Sequence, residues 1–256
     1  MQAGAYAEFM AARDDFAGLV EKIDRRAPWL GALQDRLRIE MGYDDYRVET
    51  PVVYNRDLDA IGPDSDPPFI LVADNPGKME QKNANRRYLV GQSGKLAAGW
   101  FSRELNLDFR AATLIVNKTP LHTPKTAELR RLIGLAGPHR EKLVSILEDS
   151  QRSMARLAYR MHAAMGNTVW VSGYGELKPR GLFRVWAEEI VRLYDAAPRG
   201  LAERVWVFRH FSMNQFSIEY NSTPSAEANP AANGPKAAMA KLAIIGTANR
   251  KRILGF

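Results

Sequence analysis

A chain of 256 residues, 46% of them hydrophobic, is long enough to bury a large core. It contains no cysteine, which excludes disulfides, zinc–thiolate sites and cysteine-ligated iron–sulfur clusters. The net charge of +7 favours a polyanionic partner, nucleic acid before membrane. No apolar run approaches the roughly 18 residues that span a bilayer. The first residues, Met-Gln-Ala-Gly-Ala-Tyr-Ala-Glu, lack the basic and apolar regions of a signal peptide. A soluble, cytoplasmic protein with no membrane partner is expected.

Phe9, Ala12, Phe16, Leu19, Val20 and Ile23 recur at helical spacing, so residues 5–24 read as an amphipathic helix, with a second helix over 29–41. Residues 42–68 are rich in Asp, Pro and Gly and read as loop, making 1–68 a helical lead-in. Phe69 to Ala73 is an apolar run of the length of a buried parallel strand. Asp74-Asn75-Pro76-Gly77 stops it, leaving two polar side chains at its carboxyl end. Residues 78–87 are polar loop, and 94–105 return to helix with Leu96, Trp100, Phe101 and Leu105 on one side. A second strand over 112–117 ends in Asn117 and is closed by Lys118-Thr119-Pro120.

Leu143, Ile146, Leu147, Met154, Leu157, Ala158, Met161 and Met165 trace the apolar face of a further helix. Residues 168–173 form a third strand, 182–194 a helix, and 204–210 a fourth strand running into His210-Phe211-Ser212-Met213-Asn214. Residues 221–236 are a flexible loop by composition, 237–245 a last helix, and Arg250-Lys251-Arg252 a basic tail. Strands separated by helical segments imply an α/β fold: a three-layer sandwich with a central, mainly parallel four-stranded sheet, in one domain over 1–256.

In such a sheet all strands point one way, and ligands bind at the carboxyl ends. Asn75, Asn117 and His210 can then share one rim. Asp and Asn after the first strand also suit turn chemistry alone, and both readings stand at this point. Asn117 offers a donor and an acceptor to one edge of a heterocycle. His210 can donate to an oxygen that gains negative charge. Asn75 can hold a water but cannot take its proton. Tyr88 offers an aromatic face, or else fills the core. Gly91-Gln-Ser-Gly94 can aim backbone N–H groups of a helix start at a phosphate. Lys78, Lys82, Arg86, Arg87 and Lys95 surround these segments, whereas His122, His139 and His162 read as structural or surface residues without metal-ligand spacing.

Ala73-Asp74-Asn75-Pro76-Gly77 resembles the G-x-N-P-G first motif of the uracil-DNA glycosylase superfamily, in its mismatch-specific and single-strand-selective branches. Tyr88 to Gly94 is similar to its F-V-G-x-x-G segment, and Asn117-Lys118-Thr119-Pro120-Leu121 to the N-x-x-P-L segment. His210-Phe211-Ser212 looks like a variant of its H-P-S second motif. The matches keep the family's order over residues 69–216. Ala73 stands for the first glycine and Phe211 for the proline, while Asp74 matches an acidic place of the iron–sulfur branch, whose cysteines are missing.

The resemblance implies a uracil-DNA glycosylase-like fold and a monofunctional DNA glycosylase of base-excision repair that needs no cofactor and no metal. Asn75 and His210 are then catalytic, the first positioning water and the second stabilising the departing base. Asp74, Gly77, Tyr88 and Asn117 hold the substrate base, with Tyr88 stacked on it. Ser93, Ser212, Met213 and Asn214 touch DNA, single- or double-stranded, the last residues wedging into the gap left by the base. An enzyme of the same fold acting on hypoxanthine or xanthine, and a nucleic-acid-binding member without catalysis, are the rival expectations.

Overall fold

The computed structural model describes residues 1–198, 200–224 and 234–256. Two helices open the chain, α1 (Ala3–Arg26) and α2 (Leu30–Glu40). Strand β1 (Phe69–Ala73) follows a long irregular segment, buried along its whole length as an all-apolar run predicts. Then come α3 (Gln92–Trp100), the short α4 (Phe109–Ala112) and β2 (Thr113–Asn117). Helices α5 (Glu128–Leu135) and α6 (Arg140–Met165) lead to β3 (Thr168–Ser172). Helix α7 (Arg184–Asp195), β4 (Val205–Phe208), α8 (Gln215–Ser222) and α9 (Pro235–Leu254) complete the chain.

All four strands are parallel, in the order β2-β1-β3-β4. The register puts Ala73 beside Asn117 and Ser172 beside Phe208, so the carboxyl ends line one edge. Helices cover both faces, as the alternation of strand and helix requires. On one face α6 lies along β1 and β2 and is itself covered by α1 and α7. On the other, α9 lies on β4 beside an aromatic cluster of Phe69, Trp100, Phe101, Trp170, Phe208 and Phe216, with ring centroids 4.3–5.9 Å apart. These rings belong to the same apolar cluster as Phe9 and Phe16 of α1, so the N-terminal helices share one core with the sheet.

Several boundaries differ from the sequence expectations. The fourth strand is Val205–Phe208 only, because Arg209 turns out to bond Tyr174 and Gln215. The expected loop over 221–236 is shortened at both ends by α8 and by a last helix running from Pro235 to Leu254, and its residues 225–233 lie outside the described residues. The helix expected over 94–105 begins at Gln92 and widens into a π-helical turn over Phe101–Leu105 that seats Phe101 in the aromatic cluster.

Candidate active site

The order β2-β1-β3-β4 makes the chain leave β1 to one side and return on the other, which opens a crevice between the carboxyl ends of β1 and β3. Neighbouring strands stand about 4.8 Å apart, so the ends of β1 and β4, with β3 between them, are separated by roughly 10 Å. Residues following β1, β2 and β4 therefore all emerge at one edge of the sheet.

Asn75 follows β1 in a turn fixed from below. Its amide nitrogen donates to Thr123 Oγ1 at 2.9 Å and lies 3.3 Å from the Leu121 carbonyl. Its carbonyl oxygen is buried and has no protein partner among the described residues. A buried acceptor without a partner is costly unless a ligand or water fills it. Beneath the turn, His122 donates from Nδ1 to the Pro76 carbonyl, and burial lowers its pKa to about 4, so the ring is neutral. Beside it, Glu80 accepts from the backbone N–H of Gly77 at 2.8 Å and of Gly91 at 3.4 Å. One buried carboxylate thereby ties the Asn75 turn to the turn that starts α3. Gly94 closes that second turn, since a Cβ there would stand 1.6 Å from the Leu89 carbonyl.

Asn117 ends β2 directly beside Ala73. Its residue is 2% exposed, yet its amide makes no side-chain hydrogen bond among the described residues. The next residue, Lys118, bonds backbone to backbone with Ala73 and Asp74 and turns its ammonium group inward, 2.5 Å from Asp74 Oδ1. Asp74 was expected to meet a ligand directly. Instead Lys118 holds one of its oxygens and Thr126 Oγ1 lies 3.3 Å from the other.

His210 follows β4, and burial pushes its pKa below the usual imidazole value. Its Nδ1 accepts the backbone N–H of Ser212 at 3.0 Å, so the proton sits on Nε2. Ser212 Oγ lies 2.7 Å from the same nitrogen. Phe211 is a core side chain, 5.7 Å from Trp170 and 4.9 Å from Phe216 between ring centroids. It anchors the loop as a rigid residue does, by packing rather than by a fixed dihedral. Beyond it Met213 and Asn214 both adopt left-handed backbone, with φ of 52° and 55°, and Met213 is 82% exposed. Two such residues in succession store strain, which clusters at functional loops.

No family model, curated protein or solved structure matches the chain.

Tyr88 is a correction. Its ring is fully buried beside Phe16 of α1, and its hydroxyl donates to the Val53 carbonyl at 2.6 Å, so no face is left for stacking. Ser93 sits in the first turn of α3, where the Gly91 N–H already serves Glu80 rather than an external anion. Of the basic residues, Lys78 pairs with Asp45 and Arg87 with Asp57, while Lys95 is exposed.

Sequence reasoning missed Lys118, Glu80 and Asn55. Asn55 donates to the Ile115 carbonyl and accepts from the N–H of Tyr88, joining the 86–89 segment to the edge strand. Lys178 and Arg180, exposed in the turn after β3, also flank the rim. Among the described residues no group of three or more His, Asp or Glu side chains could share a metal ion, and no helix is long and apolar enough to cross a membrane.

Clefts elsewhere carry less chemistry. In one of about 450 Å³ between α1 and α6 Arg160 is paired with Asp15, and in one of about 510 Å³ beside β2 Arg110 and Arg87 are paired with Asp57.

Proposed function

We propose that the protein is a DNA glycosylase that hydrolyses the N-glycosidic bond of uracil, or a related deaminated base, and leaves an abasic site. The observation that carries this reading is the carboxamide of Asn75, whose NH₂ is held by Thr123 while its buried oxygen lacks a partner. Such a group holds a water in one orientation and cannot take its proton. It suits a reaction in which the base departs ahead of water attack, leaving a cationic sugar that needs little help from a base catalyst.

His210 supports the other half of that step. A neutral imidazole with its proton on Nε2 donates to a carbonyl oxygen of the base as negative charge gathers there. A fixed donor of this kind is typically worth about 10² to 10³ in rate. Asn117 offers its unbonded amide to the N–H and C=O on one edge of uracil. Cytosine presents the opposite pattern, and each mismatched buried group costs about 1–3 kcal/mol.

The base must leave the helix stack to reach such a site, at a few kcal/mol, and less from a mispair or a single strand. Exposed Met213 fills the gap left behind, with Ser212 and Asn214 at the backbone and Lys95, Lys178 and Arg180 near phosphates. Gly77 and Ser93 line the approach.

The test is incubation with end-labelled oligonucleotides bearing uracil, hypoxanthine, xanthine or only normal bases, followed by alkaline cleavage. Strand breaks at uracil support the reading; breaks only at a purine move it to another base; none at any base removes it.

A further inference from the structure

Tyr174, in the turn after β3, lies between two guanidinium groups that the reaction above does not use. Arg209 donates from Nε to its hydroxyl at 3.0 Å, and Arg252 of α9 stacks over its ring, 4.9 Å from the centroid. The same two arginines are joined from behind. The Arg209 backbone N–H donates to one oxygen of Glu219 at 2.8 Å. The Asn249 amide nitrogen donates to the other oxygen and to the Val207 carbonyl, both at 3.0 Å. Asn249 Oδ1 in turn accepts from Arg252 at 2.7 Å. The contacts run Tyr174–Arg209–Glu219–Asn249–Arg252 and close on Tyr174. The loop after β4 and helix α9 thus hold one another across the outer edge of the sheet.

What this circuit presents to solvent is positive. The Arg209 side chain is 46% exposed and Arg252 is exposed, whereas the Glu219 side chain is only 11% exposed. Glu219 stands 4.0 Å from the Arg209 guanidinium, and Gln215 accepts from its Nη1 at 2.8 Å. Arg209 Nη2 and Arg252 Nε and Nη1 have no partner among the described residues. Lys178 and Arg180, in the same turn as Tyr174, are exposed as well.

A basic last turn offsets the dipole of α9 by itself, but that needs neither the ring nor Asn249. Two like charges set about one ring repel, and fixing long side chains costs rotamer entropy. An anion with several acceptor oxygens offsets both, because guanidinium forks fit phosphate and are already in place.

We propose that Arg209 and Arg252, set about Tyr174, form a subsite for a backbone phosphate of a nucleic-acid strand. The choice of a strand rests on the glycosylase reading; the anion subsite rests on the circuit. Arg209 immediately precedes His210, so a strand whose base reaches His210 brings a neighbouring phosphate to Arg209. Gln215 and Glu219 tie Arg209 to α8, which directly follows Met213 and Asn214. A phosphate held there also steadies the segment that presents Met213.

The test is a fluorescence-anisotropy titration of a labelled single strand with only normal bases, using the full-length protein at several salt concentrations. Arg252→Gln is expected to lower the slope of log affinity against log salt by roughly 0.7, the single-strand value for one phosphate. Arg252→Lys keeps the charge, so its slope should stay near that of the wild type. Its affinity should still fall several-fold, because an ammonium group neither forks nor stacks as a guanidinium does. Tyr174→Phe keeps the ring under Arg252 but releases Arg209 Nε, and its affinity should fall between those of Arg252→Gln and the wild type.

An unchanged slope in folded Arg252→Gln overturns the subsite. Should that variant fail to fold, Arg252→Lys decides, and wild-type affinity in it overturns the subsite equally. Displacement of the strand by millimolar inorganic phosphate at constant ionic strength would make this a site for the free anion. Displacement by poly-glutamate as readily as by unlabelled strand would make it a general acidic-partner surface; either result overturns the proposal. Uracil release is scored separately. A wild type that binds as expected but releases no uracil ends the glycosylase reading and leaves the subsite standing. Uracil release with an unaltered slope in Arg252→Gln does the reverse.

Discussion

His122 donates from Nδ1 to the carbonyl oxygen of Pro76 at 2.9 Å, directly under the turn that carries Asn75. Its Nε2 is buried without a partner, and burial lowers its pKa to about 4. A folded-state pKa below the unfolded value of about 6.5 means that the unfolded chain takes up the proton first as pH falls. Stability is then fully present above about pH 6.5 and lost progressively towards pH 4. The full shift corresponds to about 3 kcal/mol. Urea denaturation between pH 7 and 4.5 measures it. His122→Gln, which can still donate to Pro76, is expected to flatten this dependence; His162, also lowered to about 4, supplies the slope that remains. An unchanged slope in the variant would remove His122 from this role.

Glu80 ties two turns of the site together through the N–H groups of Gly77 and Gly91. Glu80→Ala strands two half-buried donors, at up to about 1–3 kcal/mol each. Loss of global stability in urea and faster hydrogen exchange at the Gly77 and Gly91 amides are expected together. Exchange at those amides no faster than in the wild type would show that the carboxylate is not the latch.

The strands were legible because buried parallel strands are apolar runs with abrupt ends: Phe69 to Ala73 matches β1 residue for residue. The polar ends Asn75 and Asn117 were legible for the same reason, since a polar residue closing an apolar run stands out. Lys118 was not, because a lysine after a strand reads as solvated, and only the meeting of β1, β2 and β3 buries it. Tyr88 misled in the opposite direction. The resemblance implied a ring open for stacking, but Phe16 of α1, distant in sequence, covers it and the core alternative holds. Helix α8 escaped notice because its buried residues, Phe216 and Tyr220, are too few to set a period.

Charge pairing separates the basic residues that should meet phosphate from those that should not. Lys95, Lys178 and Arg180 are exposed on the rim, whereas Arg87 is 2.5 Å from Asp57. Neutralising any of the first three is expected to reduce the slope of log affinity against log salt by about 1. Arg87→Ala should leave that slope near the wild-type value. Equal slopes for all four variants in fluorescence-anisotropy titrations would make the rim charges a solvated surface.

Met213, 82% exposed on left-handed backbone, makes little contribution to the core. Met213→Ala is expected to change stability by no more than about 0.5 kcal/mol. It should slow excision from duplex DNA more than from a single strand, where no stack needs refilling. Equal slowing on both substrates would deny the side chain its wedge role.

Release of free uracil in a single turnover tests the central claim most directly, with wild type and His210→Ala compared on one single-stranded oligonucleotide at neutral pH. The wild type is expected to release the base and leave an alkali-labile site, and His210→Ala to do so about 10² to 10³ times more slowly. No release of uracil by the wild type, or release by His210→Ala at the same rate, would contradict the account.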